Sequence, residues 1–473
     1  MTGQRRRGPA VSAPRWIAKA ASCAFVLLVV GGCGGGSGTP SASDSAAAPS
    51  GDAAASRPPG QAAPLGGGQA AALPGAQPPP NLGPLAYAPP DVGPDEAFVG
   101  QVLTLDTHVD IPLDFATPAV DPKSGDLQVN LDKMRRGGLD AAFFIVYVGQ
   151  TARTPENYVK AQMDAMRKFD AIHRMAEDLY PDEIGIATSP ADVERLAASG
   201  KLVAAIGIEN GYVIGKDLGL LDKYYALGAR YMTLVHNGHN DLGDSAQPSA
   251  DLGDGPEEHG GLSDFGRAVV ARMNDLGMMV DISHASKKTE LDAIRASRAP
   301  VIASHSGVTA VAQHVRNLDD ETLLALRDNG GVVQIVAFDA YDKYQPPEEI
   351  AAMQDLRTRL GLKRGVDLET LPDAQRIVYL QGVKKIQNRW PPATVDDLVD
   401  HIDYAVALIG IDHVGISSDF GGGGGVVGWS DASETGNVTR ELLSRGYSKQ
   451  DIEKLWGGNL LRVWGEVEKA AKR

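Results

Sequence analysis

Eight short apolar runs, six of which stop at a residue able to hold a metal or move a proton, constrain this chain more than any other feature. They are "QVLTLDTHVD" (101–110), "AAFFIVYV" (141–148), "KLVAAIGIEN" (201–210), "YMTLVHN" (231–237), "MMVDISH" (278–284), "PVIASHS" (300–306), "GGVVQIVAF" (330–338) and "HVGISSDF" (413–420). Each is nearly continuous in apolar and β-branched residues, as strands buried on both faces must be. In the first run Asp106, His108 and Asp110 alternate, so a regular strand would point all three one way.

Amphipathic stretches separate most of the runs. Residues 156–179 carry apolar positions at helical spacing. In 189–200, Ser189 is placed to cap, Pro190 to open the helix, Asp192 to sit at its third position and Gly200 to end it. Residues 262–277, 319–330 and 394–410 repeat the theme. Strand and helix alternating eight times predict an α/β protein, a (β/α)8 TIM-type barrel; a doubly wound open sheet is the competing arrangement. In such a barrel the chemistry gathers at the C-terminal strand ends. Those ends carry His108, Asp110, Glu209, His236, His284, His305 and Asp419. A strand-end histidine taken singly is usually a satisfied loop residue. Seven polar residues at one end of one barrel are not explained that way. His239, three residues after His236, is ambiguous.

Imidazoles and carboxylates without thiolate suit Zn²⁺ or a similar divalent ion. The donors outnumber the three protein ligands of a usual mononuclear catalytic zinc. They match two ions about 3.5–4 Å apart that share a carboxylate. Such a pair can hold a bridging hydroxide at neutral pH and polarise a carbonyl, so the expected chemistry is hydrolysis, with a free carboxylate to move the proton.

The rest of the chain says where that chemistry happens. Residues 1–33 start with five Lys/Arg and no acid, continue through "CAFVLLVV" and end "VGGC". The apolar run is too short to span a bilayer and suits a signal peptide. Its end resembles a lipobox, which implies cleavage before Cys33 and lipid on its sulfur. Residues 34–93 are rich in Gly, Pro, Ala and Ser and cannot offset their ordering entropy by burial, so they read as a disordered tether with a reach on the order of 40 Å. Residues 94–473 form the barrel domain. Both cysteines of the chain lie in the leader, which excludes a disulfide framework and a thiolate metal site downstream. Loss of the leader takes the net charge from −15 to −20, which argues against nucleic acid as a partner. The expected location is outside the cytoplasm, on the periplasmic or extracellular face of a bacterial membrane.

Residues 100–465 resemble the membrane dipeptidases, the renal dipeptidase-type peptidases of family M19. The resemblance rests on "DTHVDIP", "GIENG", "RYMTLVHNGHNDLGDS", "GLSDFGRAVVARMNDLGMMVDISHAS", "APVIASHSGVTAV", "RNLDDETL", "HVGISSDFGG" and "GGNLLRVW". It implies a dinuclear zinc dipeptidase. His108 and Asp110 would bind the first zinc, His284 and His305 the second, and Glu209 would bridge them. His236 would contact the substrate carbonyl oxygen, Asp419 would shuttle the proton, and Arg316 and Tyr341 would help hold the substrate. Asp106 is expected to support the strand end or orient a ligand. A homodimer is compatible with the family. Two departures stand out: Asn210 replaces a commoner Gly, and Gly421 replaces a common Asp at the head of a glycine loop, 421–425. Residues 339–393 are an insertion expected to be partly helical near the mouth, in the manner of a lid. Two other readings keep some of these residues. One is the same metal site acting on lactones, phosphotriesters or N-acyl amino acids. The other is a lipoprotein that binds peptides without cleaving them.

Overall fold

A parallel barrel forms because each apolar run finds its neighbour through an intervening helix that returns the chain to the same end. The computed structural model describes residues 87–362 and 372–472. The leader, Cys33 and most of the segment read as a tether therefore lie outside the described residues. The strands are β1 (Leu105–Asp110), β2 (Ala141–Tyr147), β3 (Ile184–Ile186), β4 (Leu202–Glu209), β5 (Ala229–Thr233), β6 (Met279–Asp281), β7 (Ile302–Ser306), β8 (Val332–Val336) and β9 (Val414–Ser417). All strand pairings are parallel, in the order β1-β2-β4-β5-β6-β7-β8-β9. The ring closes where Asp110 N donates to Phe420 O at 2.7 Å. These eight strands are the eight expected runs. The sequence reading missed β3, a three-residue strand off the ring that pairs with residues Leu202–Ala204 of β4, just before β5 takes up Ile206–Ile208.

Alternation along the strands sorts side chains into two layers. Phe143, Ile145, Val203, Tyr231, Met279, Ile302 and Val332 pack together inside the ring. Ala142, Phe144, Val146, Ala204 and Met232 face the surrounding helices. Trp464, from the helix Asn459–Ala470, joins the inner layer, with its ring 5.5 Å from Phe143. Each such large side chain removed from water contributes about 1.5–3 kcal/mol.

The helices begin where their caps require. Ser189, Ser263, Asp319 and Thr394 each accept a backbone N–H from three residues on. Gly277, at φ 80°, closes the helix Asp264–Leu276. The helix expected to end at Gly200 is capped one residue earlier, by Ser199, and Gly200 follows at φ 79°. The long helix read over 156–179 is α-helical over Pro155–His173 and finishes in a wider π-helical turn, Arg174–Leu179.

The insertion is helical over Asp339–Asp342, Pro347–Arg359 and Asp373–Gln387. The last two share a small cluster of Leu356, Leu362 and Tyr379.

One expectation about β1 needs correction. Its pairing with β2 shifts register between Asp106 and Val109. Leu105 packs with the inner layer and Val109 with the outer one, so the alternation is broken once between them. Asp106 therefore does not share a face with His108 and Asp110. The irregularity turns only the last two toward the barrel mouth.

Candidate metal centre

Strand ends and the first residues after them deliver every expected donor to one place. His108 Nε2 lies 3.5 Å from Asp110 Oδ2, 3.5 Å from Glu209 Oε2 and 3.8 Å from Asp419 Oδ1. The other oxygen of Glu209, Oε1, is 3.0 Å from His284 Nε2, 3.4 Å from His305 Nε2 and 3.6 Å from His236 Nε2. Glu209 thus turns one oxygen to His108 on β1 and the other to His284, His305 and His236. Three overlapping groups each keep their ligand atoms within 4.8 Å: His108, Glu209 and His305; Glu209, His236 and His284; His108, Asp110 and Asp419. Glu209 belongs to two of them, as a bridging carboxylate would.

Hydrogen bonds on the far side of the rings show which nitrogen is free. Tyr231 donates its hydroxyl to Thr107 O at 2.9 Å, so at 2.9 Å from His108 Nδ1 it can only accept. The His108 proton is then on Nδ1, and the Nε2 lone pair faces the carboxylates. Ser304 repeats the device. It donates to Asp281 Oδ2 at 2.6 Å and accepts from His305 Nδ1 at 2.8 Å, which leaves His305 Nε2 bare. Asp281 is held by Ser283 N, Ser304 N and Thr233 Oγ1. His108 Nε2 and Asp110 Oδ1 are buried without a hydrogen-bond partner, and His284 Nε2 faces His305 Nε2 at 2.9 Å beside Glu209 Oε1. Buried polar atoms are rarely left so. Bare imidazole nitrogens beside carboxylate oxygens fit a divalent cation.

The carboxylates call for positive charge at the same point, which a second proton on His108 or a cation among the donors would supply. Burial opposes ionisation of Glu209, yet His236 and His108 hold its carboxyl well below the usual range. Burial likewise opposes a charged His108, and Glu209 and Asp110 override it, raising His108. Asp419 differs. Burial, with Asp110 and Glu209 adding to it against His108, drives its carboxyl well above the usual carboxylate range. A raised pKa makes the ionised carboxylate a stronger base, which suits it to taking up a proton and holding it for the next step.

Backbone strain marks the same residues. Four non-glycine residues among those described have positive φ: Ala116, Asn210 (77°), His284 (66°) and Asp419 (55°). Three of them are in or beside the centre, where such strain is held by the surrounding structure. The value at Asn210 is one that glycine adopts without strain. Asparagine tolerates this region, and here its Oδ1 accepts from Tyr212 N and Asn240 Nδ2 while its Nδ2 donates to Val148 O. In the glycine loop, a Cβ on Gly422 would lie 2.4 Å from Asp419 Oδ1 and 2.5 Å from Asp110 Oδ2. The loop is pinned to the site: Gly422 N and Gly424 N both donate to Asp419 O, and Gln128 bonds Gly421 N and Gly424 O.

Around the donors sit the remaining expected residues. Arg316, 2% exposed, donates from Nη2 to His305 O at 3.0 Å, and its buried Nε has no partner. Its guanidinium lies 5.4 Å from the centre of the Tyr341 ring. Tyr341 also stacks on Phe338 at 4.1 Å and on His314 at 4.5 Å. Asp106 accepts from His108 N and Ser418 N, tying β1 to the end of β9. His239 stands apart, with Nε2 on Gly255 O and Nδ1 accepting from Ser245 N.

Tyr231, Ser304, Asp281 and Tyr147 were not singled out from the sequence. One signal was available for Tyr231. Gly207 interrupts the apolar run of β4, and a Cβ there would lie 2.3 Å from the Tyr231 ring; a strand glycine often marks such a close approach.

Three comparisons bear on this arrangement. The family described as Membrane dipeptidase (Peptidase family M19) matches residues 96–473. Dipeptidase aclJ of Aspergillus oryzae is 35% identical over 351 residues, covering 73% of this chain and 71% of its own. Dipeptidase verJ of Clonostachys rogersoniana is 32% identical over 354 residues, covering 73% and 77%. Among solved structures, the probable dipeptidase PvdM from Pseudomonas aeruginosa superimposes with a TM-score of 0.71 at 38% identity, covering 80% of this chain and 98% of that one.

Proposed function

The chain belongs to the membrane dipeptidase family, peptidase family M19, and from that premise we propose that it hydrolyses dipeptides with two zinc ions. His108 and Asp110 would hold one ion and His284 and His305 the other, with Glu209 placed between the two sets. The observation that carries this reading is the division of the two Glu209 oxygens, Oε2 toward His108 and Oε1 toward His284 and His305. Bound zinc supplies Lewis acidity and a water of lowered pKa. The remaining work falls to the chain. Arg316 receives the free carboxylate of the substrate, with Tyr341 against it, since guanidinium can bind carboxylate bidentately. His236 donates a hydrogen bond to the scissile carbonyl oxygen as negative charge grows there. Asp419 accepts the proton of the attacking water and returns it to the departing amine, so that one water is consumed and an acid and an amine leave.

The test is a substrate panel on the zinc-loaded full chain. Dipeptides with free C-termini, including L-D pairs, should be cleaved well above lactones, phosphotriesters and N-acyl amino acids. Preference for one of the latter classes would replace the dipeptidase reading. Binding of dipeptides without turnover would replace the enzymatic one.

We also propose, from the leader alone, that the protein is exported and anchored to a bacterial membrane by lipid on Cys33. No helix among the described residues is long and apolar enough to cross a membrane. Cys33→Ala is expected to abolish fatty-acid labelling and membrane retention while leaving turnover intact. Label persisting in that variant would refute the lipidation.

A further inference from the structure

We propose that the Tyr147 hydroxyl is the positioning group that keeps the His236 proton on Nε2, the nitrogen facing the site, and that Lys168 holds Tyr147 in place for this. The proposal rests on the role given to His236 above and deepens it.

Tyr147 ends β2 and is paired in register with Glu209. Its hydroxyl oxygen lies 3.5 Å from His236 Nδ1, and the two rings are 4.7 Å apart. The opposite ring nitrogen, Nε2, is the one 3.6 Å from Glu209 Oε1. His236 is flanked again by the His284 ring at 4.2 Å, so the imidazole has little freedom to turn over. A phenol keeps its proton at neutral pH, since its ordinary pKa is about 10. A phenol that keeps its proton donates it, and among the described residues the acceptor in reach is His236 Nδ1. Nδ1 must then carry a lone pair, which places N–H on Nε2. The opposite tautomer would aim a lone pair at the carbonyl oxygen and repel the charge that develops on it.

Lys168 backs this contact. It sits on the helix Pro155–His173 and is 5% exposed, with Nζ 5.5 Å above the Tyr147 ring. A cation on that face is attracted to the ring and limits its tilt.

Two readouts test the proposal. In ¹⁵N-histidine spectra of the full chain, metal-free and zinc-loaded, His236 should show a protonated Nε2 and an unprotonated Nδ1. The His236→Gln variant identifies its signals. In Tyr147→Phe the pattern should move toward a mixture of tautomers. Its kcat for dipeptides should fall roughly 10–100-fold, the usual cost of removing a partner that orients a functional imidazole, with KM and zinc content little changed. Lys168→Met should shift both readouts the same way by a smaller factor. A wild-type His236 protonated on Nδ1, or an unchanged tautomer in Tyr147→Phe, overturns the proposal whatever the activity does. A tautomer that responds as expected in a protein that cleaves no dipeptide would uphold the positioning and reject the dipeptidase reading instead.

Discussion

Replacing Glu209 with glutamine is expected to empty both metal positions together and to abolish turnover. Glu209 is 3% exposed, and its two oxygens approach four imidazoles, two from strand ends (His108 and His305) and two from the loops after β5 and β6 (His236 and His284). Glutamine keeps the shape but loses the charge. It also presents an amide N–H₂ to one set of nitrogen lone pairs, where a cation would have to sit. Removing a mere supporting partner of a ligand costs 10–100-fold in metal affinity. Loss of a shared ligand should exceed that at both positions, so zinc that saturates the wild type should leave the variant largely unloaded. Metal analysis after dialysis, with a titration of each variant, reads the result. Retention of one ion at unchanged affinity would mean that Glu209 serves a single site. The two-ion reading would then fail even if activity were lost.

How much of this centre could be read beforehand depends on the range of the interaction. The ring of eight strands was legible because burial on both faces writes itself into continuous apolar runs. The donors were legible because a polar residue ending such a run has no packing reason to be there. β3 was not legible: three residues leave no period to detect, and its place is set by the free edge of β4. The irregularity in β1 was not legible either, since "LTLDTHVD" alternates well enough to hide the shift that separates Asp106 from His108 and Asp110. The groups that set the tautomers escaped for a different reason. Tyr231 and His108 are 123 positions apart, and a tyrosine in an apolar strand looks like packing until its hydroxyl is seen on a ring nitrogen. Ser304 adjoins His305, yet only the buried Asp281 from β6 reveals which way its proton points. Local patterns announce candidate ligands; what orients them is decided by which strands become neighbours.

Asp419 and Arg316 are expected to fail in different ways, and the contrast tests whether the site is built for a free carboxylate. Asp419 is held at φ 55° by a loop whose Gly422 and Gly424 both donate to its carbonyl. Its side chain reaches toward His108 without replacing any donor in the arrangement above. Asp419→Asn preserves that shape and cannot carry a proton. Its kcat should fall by about 10²–10⁴-fold, the range for loss of a general acid–base group, while both ions stay bound. Arg316 acts earlier. Its buried Nε is unpartnered and its Nη2 is already spent on His305 O, so Nε and the remaining guanidinium donors are what a substrate carboxylate can use. That interaction exists in the bound state and in the transition state alike, and losing it raises KM more than it lowers kcat. Arg316→Ala should therefore be costly for a dipeptide and far less so for its C-terminal amide, which has no charge to offer. The loss of the bond to His305 O would weaken both substrates equally, so the difference between them isolates the carboxylate. Steady-state kinetics of the two variants on both substrates decide the matter. Equal losses for Arg316→Ala would make the arginine a support for β7 rather than a substrate anchor. The preference for free dipeptides would then have to come from elsewhere around the mouth.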